Sequence, residues 1–280
     1  MDIRVYNRSI NKEVFSRLIE KIKSRKGLEN ADDSLVAEKV VDFLKKDSRA
    51  LKRLSGAESF RSIEKSKEAE AVIKHVRAEL RPVYGLFIEE NLSMIKSLLK
   101  DEAEHIKDIL MMHKSSKERI DFYEEFYRRI FDATGKPGSI IDIACGLNPM
   151  SFEMMGLPKK TKYTALELNQ NDADAINEFF RRWGINGKAF RHDITKEPIE
   201  YEADMAFAFK IFDIVDTKVT ERIIKELDVK WIAASFSTKT VSRKDMRFKR
   251  RAGFQKMLRR LGLKYSTIEF PNEIVYLVRK

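Results

Sequence analysis

The chain has 280 residues, and its 55 lysines and arginines exceed its 44 aspartates and glutamates to give a net charge of +11. Hydrophobic residues make up 43% of the chain, which excludes a wholly disordered protein, and the length suits about two domains. The single cysteine excludes a disulfide framework and a multi-cysteine metal centre, and no apolar run is long enough to span a bilayer. We therefore expect a cytoplasmic protein with no membrane partner and with an anionic ligand or partner.

The N-terminal region, residues 1–112, predicts helices only. Apolar residues recur with the 3.6-residue period of a helix in stretches that begin at Val14, Leu35 and Ala71. The third stretch is predicted to end before Pro82, and a fourth helical stretch completes the region. We expect an all-helical domain here that carries no catalytic residue.

A helix start is predicted just after this region. Ser115 is followed three residues later by Glu118, which is the spacing of a capping box. The apolar residues from Ile120 to Phe131 follow a helical period, and Gly135 predicts the end of the helix.

From Ser139 onward the pattern changes to alternating strands and helices. Strands are predicted in the segments 139–144, 162–168, 188–194, 204–210 and 230–237, with helices at about 172–183, 217–227 and 245–261. This alternation predicts a parallel sheet with helices on both faces. The closing segments 265–270 and 273–279 are joined tightly enough to be antiparallel, an addition typical of methyltransferase sheets and not of dinucleotide dehydrogenases.

The segment Asp142–Pro149 predicts a ligand-binding turn at the end of the first of these strands. Its single glycine, Gly146, disfavours a dinucleotide, whose pyrophosphate needs a turn with three glycines. Glu167 follows the second strand, where an acid takes both ribose hydroxyls, and Asp193 follows the third, where it can contact an adenine amino group. The pattern therefore favours S-adenosylmethionine. The predicted nucleoside site comprises Asp142, Ala144, Gly146, Glu167, Leu168, Asp193 and Ile194.

A basic segment, Lys239–Arg260, holds most of the net charge. It carries ten basic residues and one acid, Asp245, interleaved with Phe248 and Phe254. A solvated helix would normally alternate charges, whereas a run of one sign repels itself until a polyanion neutralises it. We expect RNA contacts from Lys239, Arg243, Lys244, Arg247, Lys249, Arg250 and Arg251.

Together these residues resemble a known family, the aminoglycoside-resistance methyltransferases of small-subunit ribosomal RNA. The resemblance rests on the runs HKSSKERIDFYEEFY, DIACGLNP, FAFKIFDIVD, AASFSTK and NEIVYLVRK, which lie in collinear order between His113 and Lys280. It implies a class I, Rossmann-like S-adenosylmethionine-dependent methyltransferase domain at residues 113–280, and a helical region at 1–112 that docks on the ribosome. It also implies methylation of guanine N7 in 16S rRNA within the 30S subunit and a role in antibiotic resistance, with a housekeeping modification as the alternative that the sequence leaves open. We expect the protein to be a monomer.

The resemblance also implies roles for individual residues. His113, Ser116 and Arg119 would reach over the cofactor, with Arg119 on its carboxylate. Catalytic residues bordering the target base would be Lys210, Phe209, Ser235, Phe236 and Glu273, with Phe209 also touching the cofactor. The chain departs from the family after the fifth strand, because Ser235–Lys244 lacks a proline and two glycines of the family's loop. This departure leaves the target nucleotide open.

The residues also restrict the chemistry. Methylation of cytosine C5 needs a cysteine nucleophile near the target, but Cys145 lies in the predicted cofactor turn. The run Phe209–Phe212 lacks the Asn/Asp-Pro-Pro-aromatic motif of exocyclic amine methylation. A purine ring nitrogen has a free lone pair and needs alignment, not a general base. Phe209, Phe212 and Phe236 could stack on a flipped base. The alternatives are another RNA site such as adenine N1, a tRNA, a small molecule, or a non-catalytic RNA-binding protein.

Overall fold

The computed structural model describes residues 2–29, 31–84, 106–239, 246 and 251–280, and it divides into two compact units, Met1–Asn91 and Leu92–Lys280. The division falls earlier than the expected boundary between residues 112 and 113. The reason is apolar packing, since the helix Ile106–Met111 buries Ile109 and Leu110 in the core of the second unit. Among the described residues, no helix combines the length and the apolar character needed to cross a membrane.

The first unit begins with an antiparallel hairpin, so the expectation of helices only was wrong. Strand β1 (Ile3–Val5) pairs with β2 (Arg8–Ile10). Each strand has three residues, which is too short for the period-2 alternation that marks a strand in a sequence. The helices of this unit are α1 (Lys12–Lys23), α2 (Asp33–Lys46), α3 (Ser48–Ser55) and α4 (Lys67–Tyr84), with a 3₁₀ turn at Phe60–Ser62.

The predicted apolar faces of α1, α2 and α4 are confirmed, except at Ala71 in α4. Helix α1 buries Val14 and Leu18, and α2 begins at an Asp32 cap. Helix α4 buries the apolar positions that continue the predicted stripe, Ile73, Val76 and Leu80, while Ala71 itself is exposed, and the helix continues past the predicted stop to Tyr84. Proline within a last turn removes only one helical hydrogen bond, so the stop signal was outweighed.

Within the described part of the second unit, seven strands form one sheet in the order β5-β4-β3-β6-β7-β9-β8. The strands are β3 (Ser139–Ile143), β4 (Lys162–Glu167), β5 (Gly187–Arg191), β6 (Glu202–Phe209), β7 (Asp228–Ser237), β8 (Lys264–Glu269) and β9 (Glu273–Arg279). The first five are parallel, and β9 runs antiparallel between β7 and β8. The parallel sheet with a terminal antiparallel pair is therefore confirmed. Strand order reverses at β3, which places a crevice at its carboxyl end.

Helices cover both faces of this sheet. They are α5 (Ile106–Met111), α6 (Lys114–Lys117), α7 (Tyr123–Thr134), α8 (Gln170–Trp183), α9 (Thr217–Glu226) and α10 (Ala252–Arg260), with 3₁₀ segments at Asn148–Met155 and Ile211–Asp213. Alternate residues of each strand feed two apolar clusters. One joins Phe207 to α7 and α8, and the other joins Phe236 to α9 and α10.

Three local predictions in this unit need correction. Ser115 lies buried inside the short helix α6, which has no side-chain cap, so no capping box forms. Strand β5 ends at Arg191, so Asp193 lies in the following loop. Of the expected basic helix at about 245–261, residues 252–260 form α10, Met246 and Arg251 are not helical, and residues 245 and 247–250 lie outside the described residues.

Candidate functional site

The carboxyl ends of β3 to β6 bring together the polar side chains that the sequence singled out. The turn after β3 carries Gly146, β4 ends at Glu167, the loop after β5 carries Asp193, and Lys210 follows β6. Two residues at this edge adopt left-handed backbone conformations that L-residues rarely adopt, Ala144 at φ +49° and Lys210 at φ +60°. Such strain is characteristic of functional edges.

Glu167 is held by the turn that it faces. Its Oε2 accepts a hydrogen bond from the Gly146 N–H at 2.9 Å, and its Oε1 accepts from the N–H groups of Leu168 at 2.8 Å and Asn169 at 3.2 Å. Burial raises the pKa of Glu167, and these three donors oppose that rise by favouring the carboxylate. The carboxylate is therefore fixed against the glycine of the turn.

Gly146 is required by close contact as well as by its backbone conformation. Its φ is +51°, and a β-carbon at this position would lie 3.0 Å from Nε2 of His113. Burial, followed by the charges of Arg119 and Lys210, lowers the pKa of His113 to about 4. A neutral imidazole therefore packs against the turn at neutral pH.

Asp193 offers an acceptor that the protein does not use. The residue is 3% exposed, and its Oδ1 accepts hydrogen bonds from the Thr195 N–H at 2.9 Å and the Thr195 hydroxyl at 2.6 Å. Its Oδ2 is buried and has no hydrogen-bond partner in the described structure. A buried acceptor without a donor is costly, so this atom fits a ligand that brings an N–H group.

Asp142 anchors the start of the turn through buried hydrogen bonds. Its Oδ2 accepts hydrogen bonds from the Tyr163 hydroxyl at 2.6 Å and from Nδ2 of Asn148 at 2.8 Å. Asn148 in turn accepts from the hydroxyl of Tyr127 at 2.9 Å. Burial raises the pKa of Asp142 to about 7. Both ends of the turn are thus tied to one buried network.

Arg119 forms a buried ion pair with Glu273. Its Nε and Nη2 donate to the two carboxylate oxygens of Glu273 at 2.5 and 2.8 Å, and Nη2 also donates to the Ser235 hydroxyl at 3.2 Å. The guanidinium lies 4.7 Å from the ring centre of Phe209. Burial opposes both charges, but each ion stabilises the other, so the pKa of Arg119 is raised and that of Glu273 is lowered. The contact of Arg119 with a cofactor carboxylate stays a prediction, and in the described structure its Nε and Nη2 bind Glu273.

Lys210 forms a second ion pair beside the first. Its Nζ lies 2.5 Å from Oε2 of Glu118, and its backbone N–H donates to the Ser235 carbonyl at 2.9 Å. The backbone carbonyl of Glu118 accepts from Nδ2 of Asn272 at 2.6 Å. The segment before α7 is therefore fastened to the ends of β6 and β9.

The expected aromatic residues at the base site are packed in the core. Phe236 is 2% exposed and lies with Phe212, Phe254 and Tyr276 in one cluster. Phe209 belongs to the cluster on the opposite face of the sheet. Because Ser235 and Phe236 lie within β7 and not after it, their side chains alternate between the two faces, and Phe236 faces away from the Arg119 pair.

Most of the predicted RNA-binding residues lie outside the described part of the chain, namely Arg243, Lys244, Arg247, Lys249 and Arg250. Lys239 is described and partly exposed. Arg251 pairs with Asp213 at 2.8 Å, donates to the Ser237 carbonyl at 2.9 Å, and lies 5.5 Å from the ring centre of Phe236. The geometry thus shows Arg251 bonded within the protein.

Several residues at this edge were missed by the sequence reasoning as site residues. Glu118 was interpreted as a helix cap, although it adjoins Arg119 in the H-x-S-x-x-E-R run that signalled the family. Tyr163 and Asn272 were not considered, because neither a strand tyrosine nor a turn asparagine carries a distinctive local pattern. The Asn-Glu pair at 272–273 was the available signal for Asn272.

Comparison with known proteins agrees with this architecture. The family model described as "Ribosomal RNA methyltransferase (FmrO)" matches residues 52–277. A 16S rRNA (guanine(1405)-N(7))-methyltransferase of Frankia casuarinae is 25% identical over 231 residues, covering 76% of this chain and 81% of the relative. One of Proteus mirabilis with the same name is 30% identical over 205 residues, covering 62% and 70% of the two chains.

Solved structures of similar fold include two 16S rRNA methylases. RmtF, solved in complex with S-adenosyl-L-homocysteine, superposes with a TM-score of 0.72 at 19% identity and covers 97% of this chain and 99% of its own. RmtB gives a TM-score of 0.68 at 19% identity, with coverages of 96% and 100%. At this identity the likeness establishes the fold.

Proposed function

Because the chain belongs to the FmrO family of ribosomal RNA methyltransferases, we propose that it transfers a methyl group from S-adenosylmethionine to N7 of a guanine in 16S rRNA. We infer the target atom and the target RNA from the names of the relatives, and the site of this chain must be compatible with both. One observation carries the chemical part of the proposal. In the described structure, the carboxylates at the carboxyl edge are engaged by the protein, except for one buried oxygen of Asp193.

The residues of this chain fit an adenine nucleoside. The unused Oδ2 of Asp193 can accept a hydrogen bond from the adenine amino group. The fixed carboxylate of Glu167 can accept hydrogen bonds from the ribose hydroxyls. Gly146 leaves room for a close backbone approach. When bound, S-adenosylmethionine supplies an activated methyl group on a sulfonium. Glu167, Asp193 and the Gly146 turn would hold and orient its nucleoside half.

The state of the acids supports a ring nitrogen as the acceptor. Glu118 is neutralised by Lys210, Glu273 by Arg119, and Asp142 is bonded to Tyr163 and Asn148. A primary amine or a hydroxyl would need a residue to remove its proton, whereas guanine N7 reacts through its lone pair. These side chains therefore orient the reactants and balance charge, and none needs to accept a proton.

Charge supports an RNA substrate, and the names of the relatives suggest 16S rRNA, which we propose is recognised within the 30S subunit. The segment Lys239–Arg260 carries ten basic residues and one acid, and it follows β7 directly at the edge that carries Lys210. Phosphate contacts there would supply affinity and orientation, and the folded RNA would select the base. The altered loop after Ser235 makes mapping of the methylated position the decisive measurement.

The test incubates purified protein with labelled S-adenosylmethionine and with 30S subunits, 50S subunits or tRNA. We expect the label to be incorporated into 30S subunits alone, at one guanine. Treatment with borohydride and aniline should cleave the RNA at this methylated guanine, and primer extension should map the cleavage. The matched variant is Asp193→Asn, which loses no hydrogen bond within the protein because Oδ2 has no partner in the described structure, so it should lower labelling while it keeps its melting temperature. Label at an adenine, or no label in 30S, would refute the proposed target. In cells, methylation should raise the inhibitory concentration of aminoglycosides that bind the decoding site.

A further inference from the structure

The loop after β5, which carries Asp193, is fastened to helix α9 by two charged side chains. Arg222 donates through Nη1 to the Glu197 carbonyl at 3.1 Å and through Nη2 to the Ile194 carbonyl. Glu226, one turn further along α9, accepts from the Ile199 N–H at 3.2 Å. Three backbone groups of the loop are thus bound from one helix face.

The two side chains also bind each other. Nη1 of Arg222 lies 2.9 Å from Oε2 of Glu226, and both side chains are about two-thirds to three-quarters buried, with 31% and 26% exposed. A planar guanidinium held by a carboxylate keeps its remaining donors in fixed directions. The pair therefore gives the loop a rigid support.

Inside the loop, the same backbone fixes Asp193. The Asp193 carbonyl accepts from the N–H groups of Lys196 at 2.9 Å and Glu197 at 2.8 Å, and its N–H donates to Oε1 of Glu197 at 3.0 Å. The N–H and the hydroxyl of Thr195 both donate to Oδ1 of Asp193. These bonds leave the carboxylate one orientation in which Oδ2 has no partner. A shift of the Ile194 or Glu197 carbonyl would turn that oxygen.

We propose that Arg222 and Glu226 are positioning residues, which aim Oδ2 of Asp193 at the amino group of the adenine nucleoside. This inference rests on the proposed cofactor site. Arg222 and Glu226 bind the backbone of the loop and would act on the ligand only through Asp193. Their effect on affinity should therefore depend on whether the ligand carries the adenine amino group. Ile194 and Ile199 are themselves buried against Ile223 and Ile224, so the loop stays attached to α9 without the charged pair.

The test measures calorimetric dissociation constants of S-adenosylhomocysteine and of its 6-deamino analogue, in which purine replaces adenine. Arg222→Ala should weaken the amino ligand about tenfold, as for loss of one hydrogen bond to a charged acceptor, and the analogue less than about twofold. Lys225→Ala is the matched control. It removes an ion pair with Glu221 at 2.8 Å on the same helix, and neither side chain is bonded to the loop. This control should leave both constants unchanged.

Three further variants separate the possible failures. Arg222→Lys keeps one donor group and should restore part of the preference for the amino ligand. If Arg222→Ala does not fold, Arg222→Lys and Glu226→Gln replace it in the same binding measurements. Asp193→Asn should abolish the preference, because Thr195 retains the amide oxygen and the amide N–H₂ then faces the adenine amine. An unchanged preference in Asp193→Asn would refute the proposed adenine contact itself. If Asp193→Asn loses it while the Arg222 and Glu226 variants keep it, or weaken both ligands equally, the positioning role is overturned.

Discussion

Glu118 and Lys210 form an ion pair, with 2.5 Å between Oε2 and Nζ, in which the lysine side chain is 7% exposed and the glutamate 32%. The next residue, Arg119, pairs with Glu273. Two adjacent residues of opposite charge therefore bind two different strand ends, β6 and β9. The end of β6 therefore presents a neutralised lysine, and not a free ammonium group.

Removing the carboxylate of this pair should therefore destabilise the protein. Glu118→Gln leaves the Lys210 ammonium buried beside a neutral amide, and we expect the free energy of unfolding to fall by about 1–2 kcal/mol, since the glutamate is partly exposed. Urea denaturation measures this change. Glu124→Gln, an exposed glutamate on α7, is the control and should stay within about 0.5 kcal/mol of the parent. Lys210→Met added to Glu118→Gln should recover stability, and a strictly additive loss would contradict the pairing.

Asp142 and His113 should give opposite dependences of stability on pH. The folded pKa of Asp142 is about 7 against an ordinary value of 3.8, so its favourable contribution, present below pH 4, is lost as pH rises toward 7. The folded pKa of His113 is about 4 against 6.5, so stability is lost as pH falls from 6.5 toward 4. Over this shared window the two slopes partly cancel in the parent protein.

Single variants should separate the two slopes. Asp142→Asn keeps an acceptor for Tyr163 and Asn148, and its stability should rise with pH between 4 and 6.5 because the contribution of His113 remains. His113→Gln should show stability falling over the same range, by at most about 3 kcal/mol, because one titrating group changes stability by no more than about 1.4 kcal/mol per pH unit. Urea denaturation in a pH series checks both signs. Parallel curves for both variants and the parent would contradict these assignments.

Gly146 should tolerate alanine less well than another glycine of similar backbone conformation. Gly146 has φ +51° and would place a β-carbon 3.0 Å from His113, whereas Gly184 has φ +62° and open space around it. Gly184→Ala should cost about 1–2 kcal/mol of backbone strain alone. Gly146→Ala should cost more and should also weaken binding of S-adenosylhomocysteine. Equal losses of melting temperature, with unchanged binding by Gly146→Ala, would show that the His113 contact is unimportant.

Arg251 and Lys239 should respond differently to substitution. Arg251 is bonded to Asp213 and to the Ser237 carbonyl, so Arg251→Gln should lower the free energy of unfolding by about 1 kcal/mol and change the salt dependence of RNA binding little. Lys239→Gln should leave stability unchanged and reduce the slope of log affinity against log salt by about 0.7–0.9. Filter binding over a salt series distinguishes them. A reduced salt slope in Arg251→Gln, with an unchanged slope in Lys239→Gln, would mean that Arg251 leaves Asp213 when RNA binds.

The sequence predicted the strand and helix order of the second unit well, because buried parallel strands form apolar runs and Gly135 marks a helix end. The β1–β2 hairpin was missed because three-residue strands show no alternation. In the site, Gly146, Glu167 and Asp193 were brought together as expected, since parallel strands end at one edge. The partners of Arg119 and Lys210 could not be deduced, because Glu273 and Glu118 lie far away along the chain and burial decides which charges meet.

The ion pair between Arg119 and Glu273 joins residues separated by 154 positions. The buried pair can therefore form only once β9 has docked against β7 and brought Glu273 to Arg119. Closing so long a segment is entropically costly and slow. We therefore predict that this ion pair forms late in folding, and that a chain whose β9 has not yet docked has the parallel strands of its sheet but not the Arg119–Glu273 contact.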